Sequence, residues 1–301
     1  TSKSASSAPL TNNYKSLLGA MDQDNNSPNK PVNYFNGWID EVRIWDVALT
    51  EEQIHQMMNQ EIMEESSGNN VVYGEVVPIA IHGITWANLQ GYYRMDQIGC
   101  GYLEGNFGVG VDGKLKNITT AESQTAPLPY TSRVSNQTWS TDNTWTNYTV
   151  WDAPNSIGVD GTTPIDWNIV ETDHDINSGN KDITVLGLVV DNGELTIMDP
   201  GTENEDNEGQ MLWVTHYLKL DGSIDLVGES QLIQKPYWSA QYYESMLDED
   251  SDGFIERDQQ GIMNSFAYNY WAAPVSKIDG DNNNVPVTVN ATGWNQFVKP
   301  S

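Results

Sequence analysis

A single cysteine, Cys100, stands in 301 residues, so no internal disulfide framework can hold this chain together. Basic residues are scarce as well: 14 Lys and Arg face 42 Asp and Glu, for a formal charge of −28. A surface so acidic repels phosphate backbones and anionic headgroups, which makes nucleic acid and anionic membrane poor partners. No run of about twenty apolar residues occurs, so direct membrane insertion by a helix is not expected. Nor does Thr1 open a recognisable secretory signal. The four histidines, His55, His82, His174 and His216, are scattered without the spacing of a zinc site. A nucleophile elbow and a phosphate-binding loop are also missing. Phe is rare (5) beside 11 Trp and 14 Tyr. Amphipathic aromatics of that kind suit sugar-facing surfaces, interfaces and sheet rims. Stability must therefore come from packing and β-ladders, in a chain long enough to bury a sizeable core. The acidity itself has two readings: solubility in a salty exterior, or calcium binding by the Asp and Asn that crowd its loops.

What is present begins with the stretch from Tyr34 to Ile54. A Gly-bounded run rich in aromatic and β-branched residues predicts a strand over Trp38 to Trp45, apolar on both faces as a strand inside a two-sheet sandwich needs to be. Thr50 then fits a helix N-cap. Gln53 completes a capping box, and Glu51 and Glu52 favour the positive end of the helix dipole. Ile54, Met57, Met58 and Ile62 recur at helical spacing, predicting an amphipathic helix of about three turns.

This string, with Phe35, Gly37, Ile39, Asp40, Glu41, Val42, Arg43, Ile44 and Trp45 in order, resembles the closing strand and helix of laminin-G-like, concanavalin-A-like jelly rolls. The resemblance covers about residues 10 to 65 and implies a module that binds glycans or proteins. Because it matches only the end of such a module, the chain is expected to start inside a longer protein. Further along, Leu89 to Asp96 resembles the opening strand of the same fold, and Gly113 to Asn117 the short strand after it. These are expected to complete or flank the first sandwich, with first and last strands side by side. Tyr14 to Met21 and Val71 to Ile81 are also read as strands. Asp22 and Asp24 lie in a polar loop and form a weak cation site at most.

Residues 121–137 read as a linker, with Pro127 and Pro129. Trp139, Trp145 and Trp167 follow, spaced like the opening of a parallel β-solenoid, where Trp either covers the first coil or stacks on sugar. An internal repeat supports that architecture. Leu188 to Ile197 echoes Leu218 to Val227, each an alternating strand, a turn with Asp and Gly, and a second alternating strand. The period is about 30 residues. Alternation sends Leu188, Val190, Leu195 and Ile197 inward in one unit and Leu218, Leu220, Ile224 and Leu226 in the next. Neither face can be buried alone, so stacking is expected, with a meandering antiparallel sandwich as the alternative. The expected organisation is all-β: a partial jelly roll over 1–120, the linker over 121–137, and a β-solenoid-like domain over 138–301.

One loop suggests a metal. Asp248, Asp250 and Asp252 occupy positions one, three and five of a calcium loop. Gly253 is at six, Phe254 is where a backbone carbonyl ligates, Ile255 is at eight and Gln259 is at twelve. Gln259 replaces the usual bidentate Glu, and no good helix flanks the loop. Calcium is thus the one cofactor expected. Asp221, Asp225 and Glu229 are the carboxylates that could serve glycoside hydrolysis, although Asp221 sits in a Leu220-Asp221-Gly222 turn that favours Asp on backbone grounds.

The jelly roll, the spaced tryptophans, Tyr217 to Gln234, Glu256 to Gly261 and Tyr268 to Trp271 together resemble very large surface proteins of flavobacteria and other Bacteroidetes, exported by the type IX system, some similar to gliding-motility adhesins. That resemblance implies an extracellular, outer-membrane-associated location. It further implies partners among glycans, surface proteins and other domains of the same long chain, and binding rather than turnover. The alternatives are a polysaccharide-degrading enzyme with an accessory jelly roll, and a purely structural stalk.

Overall fold

The computed structural model describes residues 17–22, 31–65, 68–95, 101–103, 105, 112–116, 118, 129–201, 209–234, 237–238, 242–243, 245–258, 276–278 and 284–286. The described chain is mostly β, with parallel sheets as its main feature.

In the N-terminal unit, β1 (Met21–Asp22) pairs antiparallel with β2 (Pro31–Val32). The motif strand is shorter than its sequence predicts. β3 covers only Val42–Trp45, because Glu41 has a φ of 48°, which ends the extended backbone before Val42. The helix α1 (Glu51–Met58) starts as expected: Thr50 accepts from the Gln53 N–H, and the Gln53 side chain accepts from the Thr50 N–H at 2.8 Å. At 8 residues it is about two turns long, and Ile62 belongs to the following strand, β4 (Ile62–Glu64). Its buried face also differs from the expected one. Gln53, Gln56 and Met57 are buried, whereas Ile54 and Met58 are exposed. The reason is hydrogen bonding, since the Gln53 amide donates to the His82 carbonyl at 2.7 Å.

β5 (Val72–Gly74) pairs antiparallel with β4, and only these three residues of the expected 71–81 strand are extended in a ladder. β6 (Leu89–Tyr93) lies antiparallel to β3, Val42 opposite Tyr93. The two strands read as closing and opening elements are thus side by side. Beneath them Arg43 donates to the carbonyls of Met57 and Gln60 at 2.8 and 2.7 Å and pairs with Glu41, tying strand to helix. Met57, Ile62, Val72, Leu89 and Tyr92 form this unit's core. β7 (Tyr102–Leu103) and β8 (Gly113–Lys114) make a further antiparallel pair.

Beyond residue 129 the chain alternates between two sheets. Its strands are β9 (Tyr130–Thr131), β10 (Gln137–Thr138), β11 (Ile169–Thr172), β12 (Ile176–Asn177), β13 (Ile183–Val190), β14 (Glu194–Ile197), β15 (Met211–Leu220), β16 (Ser223–Leu226) and β17 (Gln231–Gln234). β18 (Tyr237–Trp238) and β19 (Tyr242–Tyr243) form an antiparallel excursion before β20 (Met246–Leu247) and β21 (Phe254–Arg257). The first sheet runs β9-β11-β13-β15-β17, with β20 also on β15, and the second runs β10-β12-β14-β16-β21. Every pairing within these two sheets is parallel. β9 lies inside the stretch read as a linker, so the first sheet starts ahead of residue 138. β22 (Ser276–Ile278) and β23 (Asn284–Pro286) pair antiparallel.

The inner faces meet as alternation predicts. Leu188, Val190, Leu195, Ile197, Leu218, Leu220, Ile224 and Leu226 are all buried in one cluster. Ile183 pairs with Leu212 and Leu195 with Ile224, which is the period of about 30 residues. Rung length varies before that: Asp173 and Asn192, hydrogen-bonded between rungs, are 19 residues apart, whereas Tyr130 and Val170, paired across the first step, are 40 apart. Trp139 and Trp145 cover the first rung, both fully buried, with ring centroids 4.9 Å apart in an edge-to-face contact. Their indole N–H groups donate to the carbonyls of Pro154 and Trp139, so neither polar atom is left unpaired. Trp167 takes no part in this cap. It stacks on His55 of α1 at 3.8 Å.

Candidate functional site

The corner from first to second sheet explains the Asp/Asn-Gly turns of the repeat. A Cβ on Gly193 would lie 2.7 Å from the His174 carbonyl carbon, one on Gly222 2.5 Å from the Gly193 oxygen, and one on Gly253 2.2 Å from the Gly222 oxygen. These glycines stack backbone on backbone, and any side chain would part the rungs. The acids beside them and at the opposite corner accept main-chain N–H groups from a neighbouring rung. Asp175 takes the Glu194 N–H at 3.1 Å, Asp199 that of Glu229 at 2.8 Å, and Asp182 that of Met211 at 2.9 Å. Asp221 takes the Asp252 N–H at 3.3 Å. Buried serines do the same: Ser178 accepts from Met198, Ser230 from Gln210 and Ser251 from Leu220. Part of the acidity is therefore structural, supplying acceptors where the ladder is interrupted.

The candidate calcium residues sit at one such corner, between β20 and β21. Asp248 accepts from the Tyr217 hydroxyl at 2.5 Å and from the Asp250 N–H at 3.0 Å. That bond, burial and the nearby carboxylates push the Tyr217 phenol pKa up, burial foremost. Asp250 and Asp252 are exposed, and Phe254 is the first residue of β21, opposite Ser223. Gln259, Asp24, Trp271 and Cys100 lie outside the described residues, as does the side chain of Trp238. Among the described residues no group of three or more His, Cys, Asp or Glu is arranged to hold a metal ion.

The outer face of the second sheet carries an acidic row. Asp225 is flanked in register by Thr196 and Glu256. Its carboxyl pKa is pushed up to about 6, by burial first and then by Glu194, Asp258 and Glu256. The other two carboxylates weighed for hydrolysis are placed apart from it, at the two ends of β16. Asp221 pairs with Lys219 at 3.0 Å, a bond that lowers the Asp221 pKa, and Glu229 follows the strand at the opposite corner.

A contact that sequence reasoning missed joins the N-terminal unit to the outer face of the first sheet. Val77 packs with Ile169, Leu186, Val189 and Tyr217. It fills the space over Gly187, where a Cβ would be 2.4 Å from Val77 Cγ2. The sheet makes room with a bulge: Val185 pairs with Val214 and Gly187 with Tyr217, so Thr215 and His216 together face Leu186. His216 is 4% exposed, with Nδ1 2.9 Å from Thr215 Oγ1 and Nε2 3.5 Å from the Gln56 amide nitrogen of α1. Burial holds its pKa down at about 4. Asn59 of the same helical end donates to the Trp167 carbonyl at 3.3 Å. The available signal was β13 itself, an apolar run with no polar face, which implies cover on both sides.

The last feature is aromatic. Tyr34, Phe35 and Trp38 are 60, 58 and 71% exposed, so these three rings of the resemblance-bearing stretch face outward, while Trp45 packs against the core. A scan against protein-family models, a search of curated proteins and a search of solved structures each found no match to this chain.

Proposed function

We propose that the chain is a non-enzymatic segment of a large secreted or cell-surface bacterial adhesin. In this reading residues 130–258 are a β-solenoid, and the N-terminal unit is the closing part of a laminin-G-like jelly roll that binds glycans or proteins. The supporting observation is the outward aromatic stretch, with Trp38 71% exposed, on a unit keyed to a rigid parallel sheet. Indole and phenyl faces stack on the apolar faces of sugars and anchor protein interfaces. The test is binding of the purified chain to a glycan array and to surface-protein extracts, with Trp38→Ala beside the wild type. Loss of binding with an unchanged melting curve is the expected result. Equal binding by both proteins would remove the aromatic stretch from the reading.

Calcium belongs to this proposal at Asp248, Asp250 and Asp252, with Phe254 and Gln259 as the remaining loop positions. Saturating the site at a hundred times its dissociation constant adds about 2.7 kcal/mol of stability. The melting midpoint should rise with millimolar calcium, fall back with chelator, and lose its response in Asp250→Ala. A calcium-independent midpoint leaves the loop as an acidic corner like that at Asp221.

One observation favours a second reading, a polysaccharide-degrading β-solenoid. Asp225, with its carboxyl pKa at about 6, has the property of a general acid among other carboxylates. Release of reducing ends from acidic and neutral polysaccharides, abolished by Asp225→Asn, would establish it.

A further inference from the structure

The cover over the first rung carries aromatic rings on its outer side as well. Between Trp145 and Ala153, both in the core, the chain makes a tight turn in which the Asn147 carbonyl accepts the N–H groups of Val150 and Trp151 at 2.8 and 3.0 Å. Side chains three residues apart in such a turn are neighbours on one side. Tyr148 and Trp151 are that pair, and at 44 and 46% exposed each ring is about half packed and half presented to solvent. The turn is fixed at both ends. Thr146 N–H donates to the Thr131 carbonyl of β9 at 2.9 Å, and Ala153 N–H donates to Asp142 Oδ1 at 3.0 Å. The Arg133 guanidinium lies 5.0 Å from the Tyr148 ring centroid, held by the Asn143 carbonyl at 3.2 Å and by the Asn143 side-chain oxygen. We propose that Tyr148, Trp151 and Arg133 form a second carbohydrate site, at the capped end of the parallel stack, that takes a neutral pyranose. The inference rests on the reading of the chain as a glycan binder, but not on the N-terminal aromatic stretch.

The rim around the rings selects the ligand. Arg133 is exposed and forms no ion pair among the described residues, so its guanidinium offers N–H donors beyond those given to Asn143. Asp142 and Asp152, both exposed, bring carboxylate acceptors to the same segment. A sugar hydroxyl donates and accepts at once and suits such a mixed rim. A uronate or phosphate would meet two carboxylates for one guanidinium, and a wholly apolar partner would strip water from all three charges. The rest of the −28 charge matters less, because exposed charges are screened beyond about 8 Å at physiological salt. The bare C–H face of a pyranose stacks on the indole while its hydroxyl edge meets the rim. Rings and guanidinium already held in place lose little freedom on binding, which favours affinity from a small contact.

Affinity electrophoresis of the full chain provides the test, in native gels containing hydroxyethylcellulose, galactomannan or polygalacturonate. The expected result is retardation by at least one of the two neutral polymers. That retardation should persist in Trp38→Ala, weaken about tenfold in Trp151→Ala, and return close to the wild-type value in Trp151→Phe. Tyr148→Ala serves as the second variant should Trp151→Ala lower the melting midpoint, and the same loss is expected from it. Retardation that disappears in Trp38→Ala and is intact in Trp151→Ala and Tyr148→Ala would overturn this site while leaving the N-terminal stretch as the glycan binder. Retardation by polygalacturonate alone would overturn the neutral ligand. A wild-type chain retarded in none of the gels would also overturn the site, whatever the glycan array shows for Trp38.

Discussion

Replacing Gly222 with alanine tests the stacked corner directly. Its φ is not in the left-handed region, so alanine fits the backbone and the objection is space alone. The new methyl would lie 2.5 Å from the Gly193 oxygen, and 3.0 Å from both the Asn192 carbonyl carbon and Val190 Cγ1. Two of those three atoms are backbone in the adjoining rung, fixed by bonds such as Gly222 N–H to Val190 O at 2.8 Å. Overpacking of this kind costs about 3 kcal/mol, at the upper end of its usual range. Reduced freedom of the unfolded chain returns roughly 0.7 kcal/mol. The net loss is then about 2 kcal/mol, a melting midpoint lower by roughly 4 to 8 °C. Gly158→Ala is the control, because its nearest neighbour would be 3.4 Å away, an ordinary contact, and it too avoids positive φ. Urea unfolding followed by circular dichroism reads both, with the m-value checking that the unfolded state is unchanged. If Gly222→Ala and Gly158→Ala shift the midpoint equally, the rungs are not packed backbone on backbone and the stacking argument fails.

Trp139→Ala removes a fully buried ring and the cover over the first rung, and should cost roughly 3 to 5 kcal/mol in urea unfolding. A loss under about 1 kcal/mol would mean that the cap is dispensable. For Asp225 the sign runs opposite to that of a salt-bridged acid. Its folded pKa is raised to about 6, so the folded state binds the proton more tightly than the unfolded chain. Stability linked to this group is full below the unfolded value near 3.8 and is lost as pH rises through about 6. Asp225→Asn should thus raise the urea midpoint at pH 7 and change it little at pH 3.5, and a variant less stable at pH 7 would contradict the assignment.

The inner faces were legible because strand alternation survives a sheet's twist: every residue predicted to point inward is buried. The capping box at Thr50 was legible for the same reason, since it is a local hydrogen-bond pattern. His216 was not. Strict alternation with Leu212, Val214, Leu218 and Leu220 would turn it into the core. Only the register against β13, with two residues opposing one, reveals that it meets α1 instead. The helix face was misjudged because two glutamines are buried through tertiary hydrogen bonds that no periodicity encodes. At the candidate metal loop, spacing matched a calcium pattern. Yet Asp252 and Asp221, linked by a hydrogen bond, stand 31 residues apart, and so the same Asp-Gly pair also fits the repeat. One local pattern carried two meanings, and distance along the chain distinguishes them.

The parallel stacking also bears on reach. Each rung advances the sheets by one strand spacing, about 4.8 Å. A later rung uses about 30 residues to do so, where the same length of α-helix would extend roughly 45 Å. A chain selected to hold two objects apart would make poor use of its residues this way. What the arrangement supplies is breadth: two wide lateral faces, one already occupied by the N-terminal unit and one bearing the acidic row around Asp225. Lengthening such a protein by whole rungs multiplies surface before it multiplies distance.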